Sequence, residues 1–271
     1  MGKTVITGKG LGPLAYLREI RSYRLLMFNM AWRDLRIKYA QTFLGLLLAM
    51  LQPLILLAIF TVLFEKLIKL DTGEIPYPLF AYSGIIVWNL FANVLVQAGG
   101  SLHASRDIIQ SIYFPRIILP ISKGLSGLVE AMIQMLFLFI LLGVYGISPS
   151  WKILALPLYV FLNTLAALGI GIWLSAMSLR FRDLMHTVPF VVGLGIWLTP
   201  IYYPVSLVPN AYKWMLGLNP ITGVLEGYRW AVLGGELNLF NQSCSIGIIL
   251  FLFFTGWMAF RKSEKRITDF I

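Results

Sequence analysis

The sequence predicts an all-α integral membrane protein with six transmembrane helices, and three observations carry that reading. Hydrophobic residues make up 58% of the 271 positions and charged residues only 13%, a balance unlike that of a soluble domain. The apolar residues gather in six stretches, 44–64, 79–98, 124–146, 153–177, 187–203 and 246–260, and one bilayer crossing takes about 20 of them. If every stretch crosses, 17 of the 22 Lys and Arg residues fall on one side. Short basic loops stay cytoplasmic, so both termini are expected inside. The formal net charge of +10 is then a consequence of topology, and a nucleic-acid partner is not needed to explain it.

The chain divides into a cytoplasmic arm (1–43), a membrane domain (44–260) and a short basic tail (261–271). The first 20 residues read as loosely ordered, with no signal peptide. From position 22 to 40, Leu25, Phe28, Trp32, Leu35 and Tyr39 recur at spacings of three and four, one face of a helix. Arg33, Asp34 and Lys38 lie off that face. The expectation is an amphipathic helix in the cytoplasmic interface, its rings among headgroups and its basic residues near phosphates. The alternative is a soluble helix packed on another element.

After the first stretch, Pro76-Tyr77-Pro78 disfavours helix just ahead of the second. The connection 99–123 is too polar to span. Ser105-Arg106-Asp107 reads as a helix start, and the helix is expected to run through Ile109, Tyr113 and Phe114 to Pro115. A short, partly apolar helix in a cytoplasmic loop either meets a protein partner or lies on the membrane surface. In the third stretch Glu130 is the one acid within a span, a turn from Ser126 and Gln134. Intramembrane acids serve as relays or ligands, but no second charge is present for a relay, so pairing near the cytoplasmic boundary is the preferred reading.

The fourth stretch carries Ala167, Gly171 and Ser175 at every fourth position, a close-packing face of unassigned partner. The next cytoplasmic connection holds Arg180, Phe181, Arg182 and Asp183. Pro189 and Pro200 interrupt the fifth stretch. The external region 204–245 offers two helices, 210–218 and 222–233, broken at Asn219-Pro220. Polar residues 241–245 then shorten the sixth stretch.

No catalytic or metal-binding constellation stands out. His103 and His186 sit on different loops, Cys244 is a lone cysteine, and Met1-Gly2-Lys3-Thr4 lacks the upstream glycine and strand of a phosphate-binding loop. No cofactor is expected on this chain. Aromatics crowd the outer half: Trp88, Phe91, Tyr202, Tyr203, Tyr212, Trp214, Tyr228 and Trp230. Rings there either anchor spans at the interface or face a pathway as flat platforms suited to sugars.

Four segments together resemble the permease subunit of bacterial polysaccharide ABC exporters, the group that moves O-antigen, capsular or teichoic-acid polymers. They read Trp32-Arg33-Asp34-Leu35-Arg36-Ile37-Lys38-Tyr39 with Gln52-Pro53; Tyr113-Phe114-Pro115-Arg116 with Leu119-Pro120; Arg180-Phe181-Arg182-Asp183-Leu184 with Val188-Pro189-Phe190; and Asn219-Pro220-Ile221-Thr222-Gly223 with Glu226-Gly227-Tyr228-Arg229-Trp230. An acidic residue often follows that arginine in relatives, whereas Ile117 follows Arg116 here. The resemblance covers about residues 30–235.

The resemblance implies a homodimer of six-span subunits in the bacterial cytoplasmic membrane, bound to two separately encoded ATPase subunits that hold ATP and magnesium. It implies that the arm helix and the 106–116 segment (Arg106, Asp107, Ile109, Tyr113, Phe114, Arg116) meet the motor, with Arg180, Arg182 and Asp183 nearby. It implies a channel between subunits that opens sideways near the first and fifth spans and is closed outside by the external helices. The substrate it implies is a glycan on undecaprenyl pyrophosphate, whose phosphates Arg33 and Arg36, beside Trp32 and Tyr39, are placed to meet. The alternatives are an ABC exporter for drugs or small lipids, an ion-coupled secondary transporter with paired midplane charges, and a membrane-embedded glycosyltransferase with clustered loop carboxylates. Neither pairing nor clustering is evident.

Overall fold

The computed structural model describes residues 12–39, 43–73, 75–178, 180–181, 183–235 and 237–264. Residues 1–11, Arg182 and the end of the tail lie outside them. All regular structure among the described residues is helical.

The arm contains more helix than the sequence suggests. α1 (Pro13–Ser22) starts with proline in its first turn, where the missing N–H costs nothing, and Tyr23 separates it from α2 (Arg24–Tyr39). α3 (Phe43–Phe60) contains Pro53 and passes into a π-helical segment, Thr61–Leu67. α4 (Tyr77–Ala104) starts at the Pro76-Tyr77-Pro78 signal and extends past the expected end of the second stretch. α5 (Arg106–Ser111) is short, and α6 (Ile118–Val144) follows. α7 (Leu156–Ser178) is preceded by a 3₁₀ turn, Trp151–Ala155. α8 (Leu184–Leu198) ends before Pro200. After it come α9 (Lys213–Leu218) and α10 (Pro220–Leu233), and α11 (Leu239–Glu264) closes the described chain.

Among the described residues four helices are long and apolar enough to cross a membrane, namely Tyr77–Ala104, Ile118–Val144, Trp151–Ser178 and Leu239–Glu264; Leu184–Leu198 is apolar but shorter. α4 is the central post, packed against α6, α7, α8, α10 and α3 and buried along most of its length. The small-residue face of α7 is what brings it close. A Cβ at Gly171 would lie 2.7 Å from that of Ala98, and the Ser175 and Ser101 hydroxyls meet at 3.3 Å. On its other side α7 touches α11 backbone to backbone, since a Cβ at Gly169 would fall 2.8 Å from the Phe253 amide nitrogen.

Two expectations need correction. α5 stops at Ser111 and does not reach Pro115, because Ile112 is already extended (φ −138°, ψ 147°). Phe114 then turns into the core, just ahead of a proline that disfavours helix in the residue before it. The polar residues at 241–245 do not shorten the last helix. Gln242 Nε2 donates to the Gly223 carbonyl at 2.5 Å and Ser245 Oγ accepts from the Gly223 N–H at 3.1 Å, so helix α11 starts at Leu239 and turns these groups toward α10.

Candidate functional site

The site has two parts, named inner and outer after the orientation expected from the sequence, and α2 and α5 build the inner one. α2 has three sides, which is why its sequence contrast is blurred. Met30, Ala31 and Leu35 are buried in the fold. On the same side, Asp34 Oδ2 accepts from Lys123 Nζ at 2.5 Å and Lys38 Nζ donates to Glu130 Oε1 at 2.7 Å. These ion pairs tie α2 to α6. Leu25, Phe28 and Trp32 form an exposed apolar side, and Arg36 is exposed beside it. Leu35 therefore leaves the face it was assigned to. Arg33 leans on Asp34 at 3.1 Å. Tyr39 is half-buried, and burial, then the nearby Glu130, pushes its hydroxyl up to about 12.

Glu130 is nearly enclosed, its partner Lys38 less so, with 9% and 44% of their side chains exposed. Gln134, one turn on, accepts from Asn89 Nδ2 at 3.2 Å, so the polar stripe of α6 is consumed inside the subunit.

Arg106 and Asp107 on α5, and Tyr113 just beyond it, face outward. Ile109 and Phe114 do not; both are buried, and they hold the segment to the core rather than offering it to a partner. Arg116 is partly exposed, and its backbone N–H donates to Glu264 Oε1 at 2.8 Å. Arg180 lies 5.4 Å from the centre of the half-exposed Phe181 ring, with Asp183 exposed nearby. Arg182 is outside the described residues.

In the outer part the aromatic residues separate into two groups. Trp88, Phe91 and Trp214 line an open recess of about 500 Å³, together with Ile170, Leu198 and Met215. Gly195 allows the Trp88 ring to rest on α8, since a Cβ there would lie 2.8 Å from it. Trp214 is 64% exposed and Tyr212 is also exposed. Tyr202 and Tyr228, read with them as interface anchors or pathway rings, are core residues at 2% and 1% exposure and do not line the recess; Trp88 and Phe91, which do, are themselves only 7% and 6% exposed. Tyr202 stacks on Phe60 with ring centres 3.7 Å apart, joining the end of α3 to the end of α8. Tyr203 donates to the Trp197 carbonyl at 3.2 Å. Trp230 meets Trp151 edge-on and carries Lys152 Nζ 5.3 Å from its centre.

Sequence reasoning missed Arg229. Its guanidinium donates to the Pro200 carbonyl at 2.8 Å, the Ile201 carbonyl at 2.6 Å and the Phe80 carbonyl at 3.1 Å. It lies 3.6 Å over the Phe80 ring. It thereby satisfies carbonyls freed where α8 stops and fastens α10 to α4. Burial pulls its pKa down to about 9. Burial also raises that of Glu226, one turn earlier, against the opposing effects of the Asn241 amide and Arg229. Glu264 was missed as well: it accepts from both Arg116 and Tyr16. A lone cation in an external loop and an acid in a basic tail give no sequence signal of such partners.

Among the described residues no cluster of three or more His, Cys, Asp or Glu side chains is positioned to hold a metal ion. The arrangement offers exposed polar surface at one end, an apolar recess at the other and long helices between.

The family model for ABC-2 type transporters matches residues 26–233. The chain is 28% identical over 215 residues to an O-antigen export system permease protein, RfbA, of Myxococcus xanthus, covering 79% of this chain and 82% of that one. It is 28% identical over 245 residues to an RfbA permease of Klebsiella pneumoniae, covering 88% and 92%. It is 24% identical over 242 residues to the polysialic acid transport protein KpsM of Escherichia coli, covering 86% and 91%.

Proposed function

The chain belongs to the ABC-2 type transporter family, and from that premise we propose that it is the membrane subunit of an ATP-driven exporter of lipid-linked polysaccharide of the O-antigen kind. It works in the bacterial cytoplasmic membrane, with both termini inside. The relatives named for O-antigen and polysialic acid support the polymer class. The observation that carries the geometric side is the aromatic recess of Trp88, Phe91 and Trp214. It is a ring-lined wall open on one side, as half of a passage would be, and rings of this kind stack on sugars.

In this reading six spans come from the four long helices together with α3 and α8. α8, with 15 residues, covers only about 22 Å at 1.5 Å per residue, so residues 199–203 complete its crossing. Leu51, Ile55 and Ile59 on α3, Val62 in the π-helical segment after it, and Phe190, Leu194 and Trp197 on α8 are all exposed in the single subunit. A second copy and the bilayer cover them, and the passage runs between the copies. The exposed side of α2 lies among headgroups, with Arg36 and Arg33 near the pyrophosphate of an undecaprenyl-linked glycan. ATP and magnesium belong to two separate ATPase subunits, which dock on α5 and on the Arg180–Asp183 turn.

The test is export in a strain lacking its own polysaccharide exporter, supplied with this chain and an ATPase subunit encoded beside it. Surface polymer that requires both genes supports the reading. Polymer that appears without the ATPase, or a complex that moves only small lipids or drugs, overturns it.

A further inference from the structure

Glu264 closes α11, and each of its oxygens serves a different segment. Oε1 accepts from the Arg116 backbone N–H at 2.8 Å, and Oε2 accepts from the Tyr16 hydroxyl at 2.7 Å. One side chain thus joins the stretch after α5 to the arm helix α1. Tyr16 is buried and is held on other sides too, edge-on to Trp257 with centres 5.8 Å apart and beneath the Arg261 guanidinium at 4.8 Å. Hydrogen bonds to a carboxylate are the stronger kind. The stretch after α5 is not helical at Ile112, so this contact gives it a polar fixture on α11.

The other end of α11 is fixed just as specifically. Gln242 and Ser245 bond both backbone groups of Gly223, and Asn241 Nδ2 donates to Glu226 at 3.2 Å. All three bonds reach α10. Between the two ends α11 is a continuous 26-residue helix about 39 Å long, packed backbone to backbone on α7 at Gly169 and Gly256. Helices are stiff along their axes and loops are not. Movement imposed on α5 reaches α4 and α6 through the chain itself, but α11 has no covalent connection to that segment.

We propose that Glu264 is a positioning residue for motor coupling, clamping the α5–α6 stretch to α11 so that α11 carries the displacement to the outer helix α10. This rests on the reading of α5 as the motor-docking segment.

The experiment uses the complex with its ATPase subunits in proteoliposomes, comparing wild type with Glu264→Gln, Glu264→Ala and Tyr16→Phe. ATP hydrolysis, polymer export and nucleotide-dependent maleimide labelling of a thiol placed by Asn210→Cys are read together. Export per ATP is expected to fall about ten-fold in Glu264→Ala, the scale of one hydrogen bond to a charged group. It falls less in Glu264→Gln, which keeps an acceptor, while hydrolysis stays within two-fold and the nucleotide effect at position 210 disappears. An unchanged export-to-hydrolysis ratio overturns the proposal, as does a parallel loss of complex, hydrolysis and export in both Glu264 variants. If wild type itself neither binds the ATPase nor needs ATP, the underlying reading of α5 fails instead.

Discussion

At the inner end, α2 is joined to α6 by two ion pairs, Lys38–Glu130 and Lys123–Asp34, and one of these cations has 44% of its side chain exposed. At the outer end, α10 is joined to α4 and to the stop of α8 by one guanidinium set among three backbone carbonyls. The Lys38 end of the first pair is open to water and salt, which weakens it, whereas Lys123 and Asp34 are largely enclosed, at 11% and 15% exposure. Besides the carbonyls the guanidinium has only the Ser83 hydroxyl, at 3.4 Å, as a hydrogen-bond acceptor among the described residues, so opening the carbonyl contact strands donor and acceptors together. One of the two contacts at the inner end is therefore adaptable and the other is not. The outer end is one body, in which α10 cannot move without the top of α4. α9 is held more loosely there: its Trp214, Met215 and Leu218 are exposed, and Leu216 is its buried residue.

That contrast can be broken by substitution. Arg229→Met should have the largest effect, lowering stability by about 3 kcal/mol or more, because several carbonyls lose their donor at once. Thermal unfolding in detergent measures it. Next is Gly227→Ala, whose Cβ would fall 1.9 Å from the Tyr159 ring. Overpacking of this kind costs about 1–3 kcal/mol, and adding Tyr159→Ala should recover part of the loss.

At the inner end Lys38→Met leaves Glu130 without its partner. The expected loss is about 1–2 kcal/mol, below the cost of breaking a fully enclosed pair because Lys38 is partly in solvent. Adding Glu130→Gln should restore most of it. On α9, Trp214→Ala should leave melting within about 0.5 kcal/mol but reduce polymer export, a split that sharpens the distinction between gate and frame.

The smallest effect concerns pH. Burial raises the pKa of Glu226, so the folded chain holds this proton to a higher pH than the unfolded chain does. Its contribution to stability therefore grows as pH falls through the folded pKa and is complete below the unfolded value. Melting of wild type should rise slightly on acidification in that window, and Glu226→Gln should flatten this part of the curve.

Local signals made much of the architecture legible. The Asn219-Pro220 break separates α9 from α10 because Asn219 caps the second helix through the Ile221 N–H, a contact between residues two apart. The close-packing face of α7 was visible as Ala167, Gly171 and Ser175, although its partner α4 was not. Errors arose where distant contacts decide. Gln242 and Ser245 look like residues that end an apolar stretch until Gly223, some 20 positions earlier, supplies their hydrogen bonds. Phe114 looks like the end of an exposed helix but is a core anchor. Tyr202 and Tyr228 are aromatic like Trp88, Phe91 and Trp214, and only the packing of distant segments decides which rings line the recess. The carbonyl acceptors of Arg229 lie 28 to 149 residues away, beyond any pattern read along the chain.

The central claim is that α5 is the driven inner surface and α9 the outer gate, on opposite sides of one membrane. Thiols introduced singly by Ser111→Cys and Asn210→Cys, in a Cys244→Ser background, test it with a membrane-impermeant maleimide in spheroplasts. The account predicts labelling at position 210 in intact spheroplasts, and labelling at position 111 only after permeabilisation, with protection by bound ATPase. Labelling at position 111 from outside, or equal labelling there with and without the ATPase, would contradict it.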